Sequence, residues 1–119
     1  MKFLVFLGTV RNSTPPKPAR LGERISKACM ECKAPSMLNT LADKIKAADG
    51  YVMVSPEYNH SMSPALADLL NHFGSSLFSY KPSAIVTYSA GQWGGLRAAI
   101  SMRSFLSELG CLPVSAMIH

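Results

Sequence analysis

Gly50-Tyr51-Val52-Met53-Val54-Ser55-Pro56-Glu57-Tyr58-Asn59-His60-Ser61-Met62-Ser63-Pro64-Ala65-Leu66 is the stretch on which the fold turns, because it passes from strand to loop to helix without a break. Gly50 to Ser55 is a short, nearly continuous apolar run, the pattern of a strand buried on both faces of a parallel sheet. Ser63 and Pro64 read as an N-cap followed by proline at the first helical position, where the missing N–H costs nothing. Ala65, Leu66, Leu69, Leu70 and Phe73 then keep helical spacing and predict a buried stripe.

The same alternation extends in both directions. Lys2 to Leu7, Ala84 to Ser89 and Leu112 to Ile118 have strand character. Leu38, Leu41, Ala42 and Ile45 form a helical stripe, with Asp49-Gly50 as its stop signal. Leu96, Ala99, Ile100, Met102, Leu106 and Leu109 form another, closed by Gly110. Strands alternating with helices predict an α/β domain with a doubly wound parallel sheet. At 119 residues the chain holds one domain, 1–119, and is too short for separate cofactor and substrate domains.

Composition removes several classes. Phe3 to Leu7 falls far short of the roughly 20 apolar residues a membrane span needs, and no signal-peptide pattern follows, so a cytoplasmic chain with no membrane partner is expected. Cys29, Cys32 and Cys111 make an odd count, which argues against a disulfide framework. Cys29 and Cys32 have C-x-x-C spacing but close a helical pattern instead of opening one, so a plain helix explains them better than a redox or metal pair. His60, His72 and His119 form no ligand cluster, and no metal site is expected; His72 suits a helix C-terminus. The net charge of +5 is concentrated in Arg11, Lys17, Arg20, Arg24 and Lys27. No reading motif or aromatic cluster accompanies them, which favours a phosphorylated small molecule over nucleic acid.

In open parallel sheets ligands bind beyond the carboxyl ends of the strands. After the first strand comes Gly8-Thr9-Val10-Arg11-Asn12-Ser13-Thr14, a phosphate cradle in composition but neither G-x-G-x-x-G nor a Walker loop. After the second, Pro56 and Pro64 bracket a loop whose N–H groups would form an extended donor array, suited to the pyrimidine edge of an isoalloxazine ring, with Tyr58 as a wall. A solvated loop with Asn59 as turn residue is the alternative. After the third comes Ser89-Ala90-Gly91-Gln92-Trp93-Gly94-Gly95-Leu96-Arg97, where glycines permit close approach to a ligand. Trp93 at the loop tip is expected against a ligand or another subunit, the alternative being a core tryptophan.

Together the three loops resemble those of the NAD(P)H-dependent FMN reductases of flavodoxin-like fold, which include azo-dye and quinone reductases. The resemblance rests on G-T-V-R, on S-P-E-Y-N-H-S-M-S-P-A-L, and on S-A-G-Q-W-G-G-L-R-A-A-I-S-M-R-S-F-L-S-E-L-G-C-L-P-V. It implies FMN as cofactor, NADPH or NADH as co-substrate, and hydride transfer to a flavin, quinone or similar small-molecule acceptor. It implies phosphate contacts from Thr9, Arg11 and Arg20. Pro56, Glu57, Tyr58 and Asn59 would line one side of the ring, and Ser89, Gly91, Gln92, Trp93 and Gly94 the other. No side chain is implied as general acid or base, because the cofactor carries the chemistry. Lys17, Arg20 and Arg24 favour NADPH. Homodimers or homotetramers are implied.

The chain departs from that pattern in two places. The second strand, an edge strand in the 2-1-3-4-5 sheet, is missing, and the closing helix is absent after His119. The short joint Lys33 to Ser36 reaches at most ~14 Å, so one of the first two helices is expected to have shifted, unwound or merged with the other across Pro35. A missing last helix would leave apolar sheet surface bare. Two functions therefore compete: an active reductase, and a non-catalytic shortened subunit that binds or regulates a full-length one.

Overall fold

In the computed structural model, residues 1–8 and 36–119 are described. Their elements are β1 (Phe3–Leu7), α1 (Ser36–Ala47), β2 (Gly50–Pro56), α2 (Pro64–Asn71), a short 3-10 turn (Ser75–Leu77), β3 (Pro82–Tyr88), α3 (Leu96–Glu108) and β4 (Leu112–Ile118). The four strands form one sheet in the order β1-β2-β3-β4, every pair parallel. Among the described residues this is the order of strands 1, 3, 4 and 5 in a 2-1-3-4-5 sheet; the expected absence of strand 2 falls on residues outside the described ones. Thr9, Arg11 and Arg20, the Cys29/Cys32 pair and the joint before Ser36 lie outside the described residues.

Strand register separates two faces. Phe6, Met53 and Ile85 pair across the sheet, as do Tyr51 with Ser83 and Ser55 with Thr87, and all of these are buried. Ile45 of α1, Leu66 and Leu70 of α2, and Ala99, Met102 and Leu106 of α3 complete the same core. The three described helices thus cover one face. Fully burying each large apolar side chain there contributes about 1.5–3 kcal/mol. On the opposite face Phe3, Val5 and Leu7 of β1 and Leu112, Val114 and Ile118 of β4 are exposed. Burial on both faces, expected for every strand, therefore fails for the two outer strands: among the described residues no helix lies over that face. The inner strands β2 and β3 keep Val52, Val54, Pro56, Ala84 and Val86 of that face half-buried, and only the two ends of β3, Pro82 and Tyr88, are exposed. Two helical stripes also need correction, since Ala65 and Ile100 point to solvent while Ala98 is buried.

Helix ends follow their local chemistry with two exceptions. Gly110 (φ +82°) closes α3 with its N–H on Ser107 O at 2.9 Å and the Cys111 N–H on Leu106 O at 2.9 Å, the paired bonds of a Schellman motif. His72 ends α2, its Nδ1 2.6 Å from Asp68 O. Ser63 occupies the N-cap position of α2, but its hydroxyl makes no cap bond. Instead its N–H donates to Ser55 Oγ at 2.8 Å, tying the helix start to β2. Gly50 is not a helix stop; it is the first residue of β2, paired with Phe3, and a Cβ there would lie 3.1 Å from both Phe3 Cε1 and Pro82 O. The carboxyl end of α1 is held by Lys81, whose Nζ donates to Ile45 O (2.9 Å) and Lys46 O (2.8 Å).

Tyr51 joins these parts. Its ring meets Phe78 edge-on at 5.4 Å, and its hydroxyl lies 3.0 Å from both Ile45 O and Leu77 O. Having one proton, it donates to one carbonyl at a time. Burial, and secondarily the charge of Cys111, pushes the Tyr51 phenol from 10.0 up to about 12. Burial likewise pushes the Cys111 thiol from 9.0 up to about 11, opposed by the Ser83 hydroxyl and the Lys81 charge. Both acids stay protonated in the fold after the unfolded chain has lost its protons. Stability is therefore full below about pH 9 and falls as pH rises through the folded values. Tyr51→Phe should cost about 1 kcal/mol at pH 7 and flatten the upper part of this alkaline loss. Urea unfolding across neutral to alkaline pH measures both, and an unchanged alkaline slope in the variant would contradict the assignment.

Candidate functional site

Because β2 and β3 are parallel neighbours, their carboxyl ends deliver two loops to one rim, residues 57–63 and 89–95. Pro56 and Tyr88 are the last register pair, and the Glu57 N–H extends the pairing by bonding Tyr88 O at 3.0 Å. Gly8 reaches the same rim from β1, its N–H on Val54 O at 2.8 Å.

The 57–63 loop is a tight turn. Tyr58 and Ser61 exchange both backbone bonds at 2.9 Å, and the two residues between them, Asn59 (φ +48°) and His60 (φ +64°), are both left-handed. Two consecutive left-handed residues inside a reciprocal pair make the twisted two-residue turn usual in hairpins. Asn tolerates that region well; His does so at a cost. The sequence reading of an extended donor array held by prolines is thus altered. Hydrogen bonding holds the turn and engages the N–H groups of Glu57, Tyr58, Ser61 and Ser63. The Asn59 and His60 N–H groups at the tip have no bond within the described residues.

The 89–95 loop is wound on itself. Ser89 Oγ accepts the Gly91 N–H (3.2 Å), the Gly94 N–H bonds Gly91 O (3.1 Å), and the Leu96 N–H bonds Trp93 O (2.9 Å). Gly95 (φ +97°) starts α3 so close to the sheet that a Cβ would stand 2.9 Å from Tyr88 N and 3.0 Å from Thr87 Oγ1. Only glycine meets both demands. Thr87 Oγ1 donates to Gly95 O at 3.0 Å from below.

Side chains then join the loops. Glu57 Oε2 accepts the Ala98 N–H in the first turn of α3 (3.3 Å), Ser61 and Ser101 hydroxyls meet at 3.0 Å, and Arg97 Nη1 lies 3.0 Å from His60 Nε2. Since the guanidinium can only donate, this His60 nitrogen is the acceptor. The Arg97 guanidinium also lies over the Trp93 ring, 5.9 Å from its centroid. Trp93 remains 53 % exposed, which excludes the core-tryptophan alternative.

Pro56, Glu57, Tyr58 and Asn59 are brought together with Ser89, Gly91, Gln92, Trp93 and Gly94 on this rim. Thr87, Tyr88, Arg97 and Ser101 also build it. Arg97 lies within the quoted glycine-rich motif, but its pairing with His60 needs two segments far apart in sequence. Exposed Tyr88 and Trp93 and the free tip N–H groups suit a planar ring with carbonyl oxygens on its edge. Among the described residues no three His, Cys, Asp or Glu side chains group to hold a metal, and no helix is long and apolar enough to cross a membrane.

The fold and rim define a flavodoxin-like α/β protein with a ligand rim at the carboxyl ends of its strands. A solved structure, the flavoenzyme NAD(P)H:(acceptor) oxidoreductase FerB from Paracoccus denitrificans, superposes with a TM-score of 0.75 over 97 % of this chain and 76 % of that one, at 21 % identity. The family model for NADPH-dependent FMN reductase matches residues 9–118, and the chain belongs to that family. It is similar to an NADPH azoreductase of Bacillus sp. (strain OY1-2), 40 % identical over 77 residues that make up 65 % of this chain and 42 % of the relative. It is also similar to a quinone reductase of Escherichia coli (strain K12), 37 % identical over 84 residues, 68 % of this chain and 45 % of the relative. The chain thus spans less than half the length of these two curated relatives.

Gly95→Ala should lower stability by about 2–3 kcal/mol, combining the left-handed backbone with the clash against Tyr88. Denaturant unfolding measures the loss; a change below about 0.5 kcal/mol would show that α3 can lift off the sheet freely.

Proposed function

We propose that the chain is a flavin-dependent oxidoreductase domain that binds FMN at the 57–63/89–95 rim and uses NAD(P)H to reduce a flavin, quinone or similar small acceptor. The observation that carries this reading is the interlocking of two loops into one rim that leaves Trp93 exposed and the two tip N–H groups without a bond among the described residues. Bound FMN supplies the hydride chemistry, so the chain's task is to bind, orient and shield.

Pro56, Glu57, Tyr58 and Asn59 form one wall, in which the Asn59 and His60 N–H groups are available to ring carbonyl oxygens. Ser89, Gly91, Gln92, Trp93 and Gly94 form the other, where small residues allow close backbone approach and Trp93 offers a flat apolar surface. Thr9, Arg11 and Arg20 are assigned to the phosphate on the sequence pattern. The reading requires no general acid or base from these side chains.

The exposed face of β1 and β4 supports a second element of the proposal, association with another subunit as a homodimer or homotetramer or with a longer family member. Sedimentation would separate these, and a monomer with full activity would remove the regulatory-subunit reading.

Trp93 is the chain's single tryptophan, so its emission reports on the rim alone. Titration with FMN should quench it saturably, in step with quenching of the flavin's own fluorescence, and the loaded protein should oxidise NADPH when a quinone is supplied. Trp93→Ala should weaken FMN binding about tenfold. A chain that leaves Trp93 emission unchanged and takes up no FMN would end the proposal.

A further inference from the structure

We infer that Glu57 is a positioning residue, the clamp that sets the separation between the two walls of the rim, and not a group that donates to or protonates the ring. The inference rests on the flavin reading above and concerns how that site is held.

Glu57 stands one residue beyond β2 and makes two bonds to the neighbouring βα unit. Its N–H goes to Tyr88 O at 3.0 Å and its Oε2 accepts the Ala98 N–H at 3.3 Å. Tyr88 immediately precedes the 89–95 loop, and Ala98 lies in the helical turn that follows it. One residue therefore grips both stems of the opposite wall. Its backbone donor is consumed, and one of its carboxylate oxygens is turned towards α3.

The carboxylate suits this position. The first turn of a helix has N–H groups without intrahelical acceptors, and the positive end of the helix dipole favours an anion. In the first turn of α3 the Leu96 and Ala99 N–H groups are served by carbonyls, Trp93 O and Gly95 O, and the Ala98 N–H goes to Glu57. Arg97, the nearest cation along the helix, is engaged with His60 and Trp93. Among the described residues Glu57 makes no ion pair, so its partner is the helix terminus itself.

A clamp of this kind depends on an acceptor of the right reach, not on a proton or on the charge alone. Glu57→Gln keeps an acceptor oxygen at the same length. Glu57→Asp keeps the charge but withdraws it by one methylene, and Glu57→Ala removes it.

The test uses the full chain and two readouts: FMN affinity from Trp93 and flavin fluorescence, and amide hydrogen exchange at Ala98 in the flavin-free protein. Expected are about tenfold weaker FMN binding and at least about tenfold faster Ala98 exchange in the Ala and Asp variants, with Gln within about threefold of the parent on both. Parent-like affinity in Ala and Asp would overturn the inference, as would a Gln variant as weak as Ala. If Ala fails to fold, the Gln and Asp pair decides. A parent chain that takes up no FMN would overturn the flavin reading and this inference together; a parent that binds, with all variants equal to it, would overturn the clamp alone.

Discussion

The pairing of β2 with β3 continues past the last ladder residue, and the rim depends on that continuation. The Glu57 N–H takes the Tyr88 carbonyl where solvent would otherwise begin, and Gly95 brings α3 down on Tyr88 and Thr87. Each loop therefore leaves a strand that is buried on its helix-covered face, with its stem bonded to the neighbouring unit. Buried backbone groups that must find partners impose this order before any side chain contributes.

On these stems the chain holds conformations that would be unfavourable alone. Asn59 and His60 are left-handed without being glycine, at a cost on the order of 1 kcal/mol each. The reciprocal Tyr58–Ser61 bonds and the contacts of His60 and Ser61 with Arg97 and Ser101 offset that cost. Such strain is stable only where the surroundings over-determine it, which the first turn of α3 does. The result is a fixed turn whose exposed tip residues, Asn59 and His60, have backbone N–H groups with no bond among the described residues.

The outer strands follow different physics. β1 and β4 place apolar side chains on a face that no described helix covers, while the rim is built almost wholly from β2, β3 and the helices after them. The rim and the uncovered apolar face thus belong to different parts of the sheet. A chain spanning less than half of its azoreductase and quinone reductase relatives holds the 57–63 and 89–95 loops in register because the two central strands are both present.

Much of this was legible in residue order. Apolar runs of strand length marked all four strands, with β4 found at its observed bounds, and the Ser63-Pro64 and Gly110 signals marked helix ends because those are local backbone effects. The quoted motifs identified the rim segments and the family. What residue order could not show is where the hydrogen bonds go. Ser63 reads as a cap yet its hydroxyl makes no cap bond and its N–H goes to Ser55. Residues 57–61 read as an array of free donors, yet most of those donors are satisfied by Tyr88 or within the turn. These outcomes depend on partners brought close by the sheet: Ser55 for Ser63, Tyr88 and Ala98 for Glu57, Arg97 for His60. Local propensity and motif chemistry are written in neighbouring residues. The turn closes on its own Tyr58–Ser61 bonds, and contacts about forty residues apart, Ser61 with Ser101 and Glu57 with Ala98, fasten it to α3; that fastening is what only the tertiary structure decides.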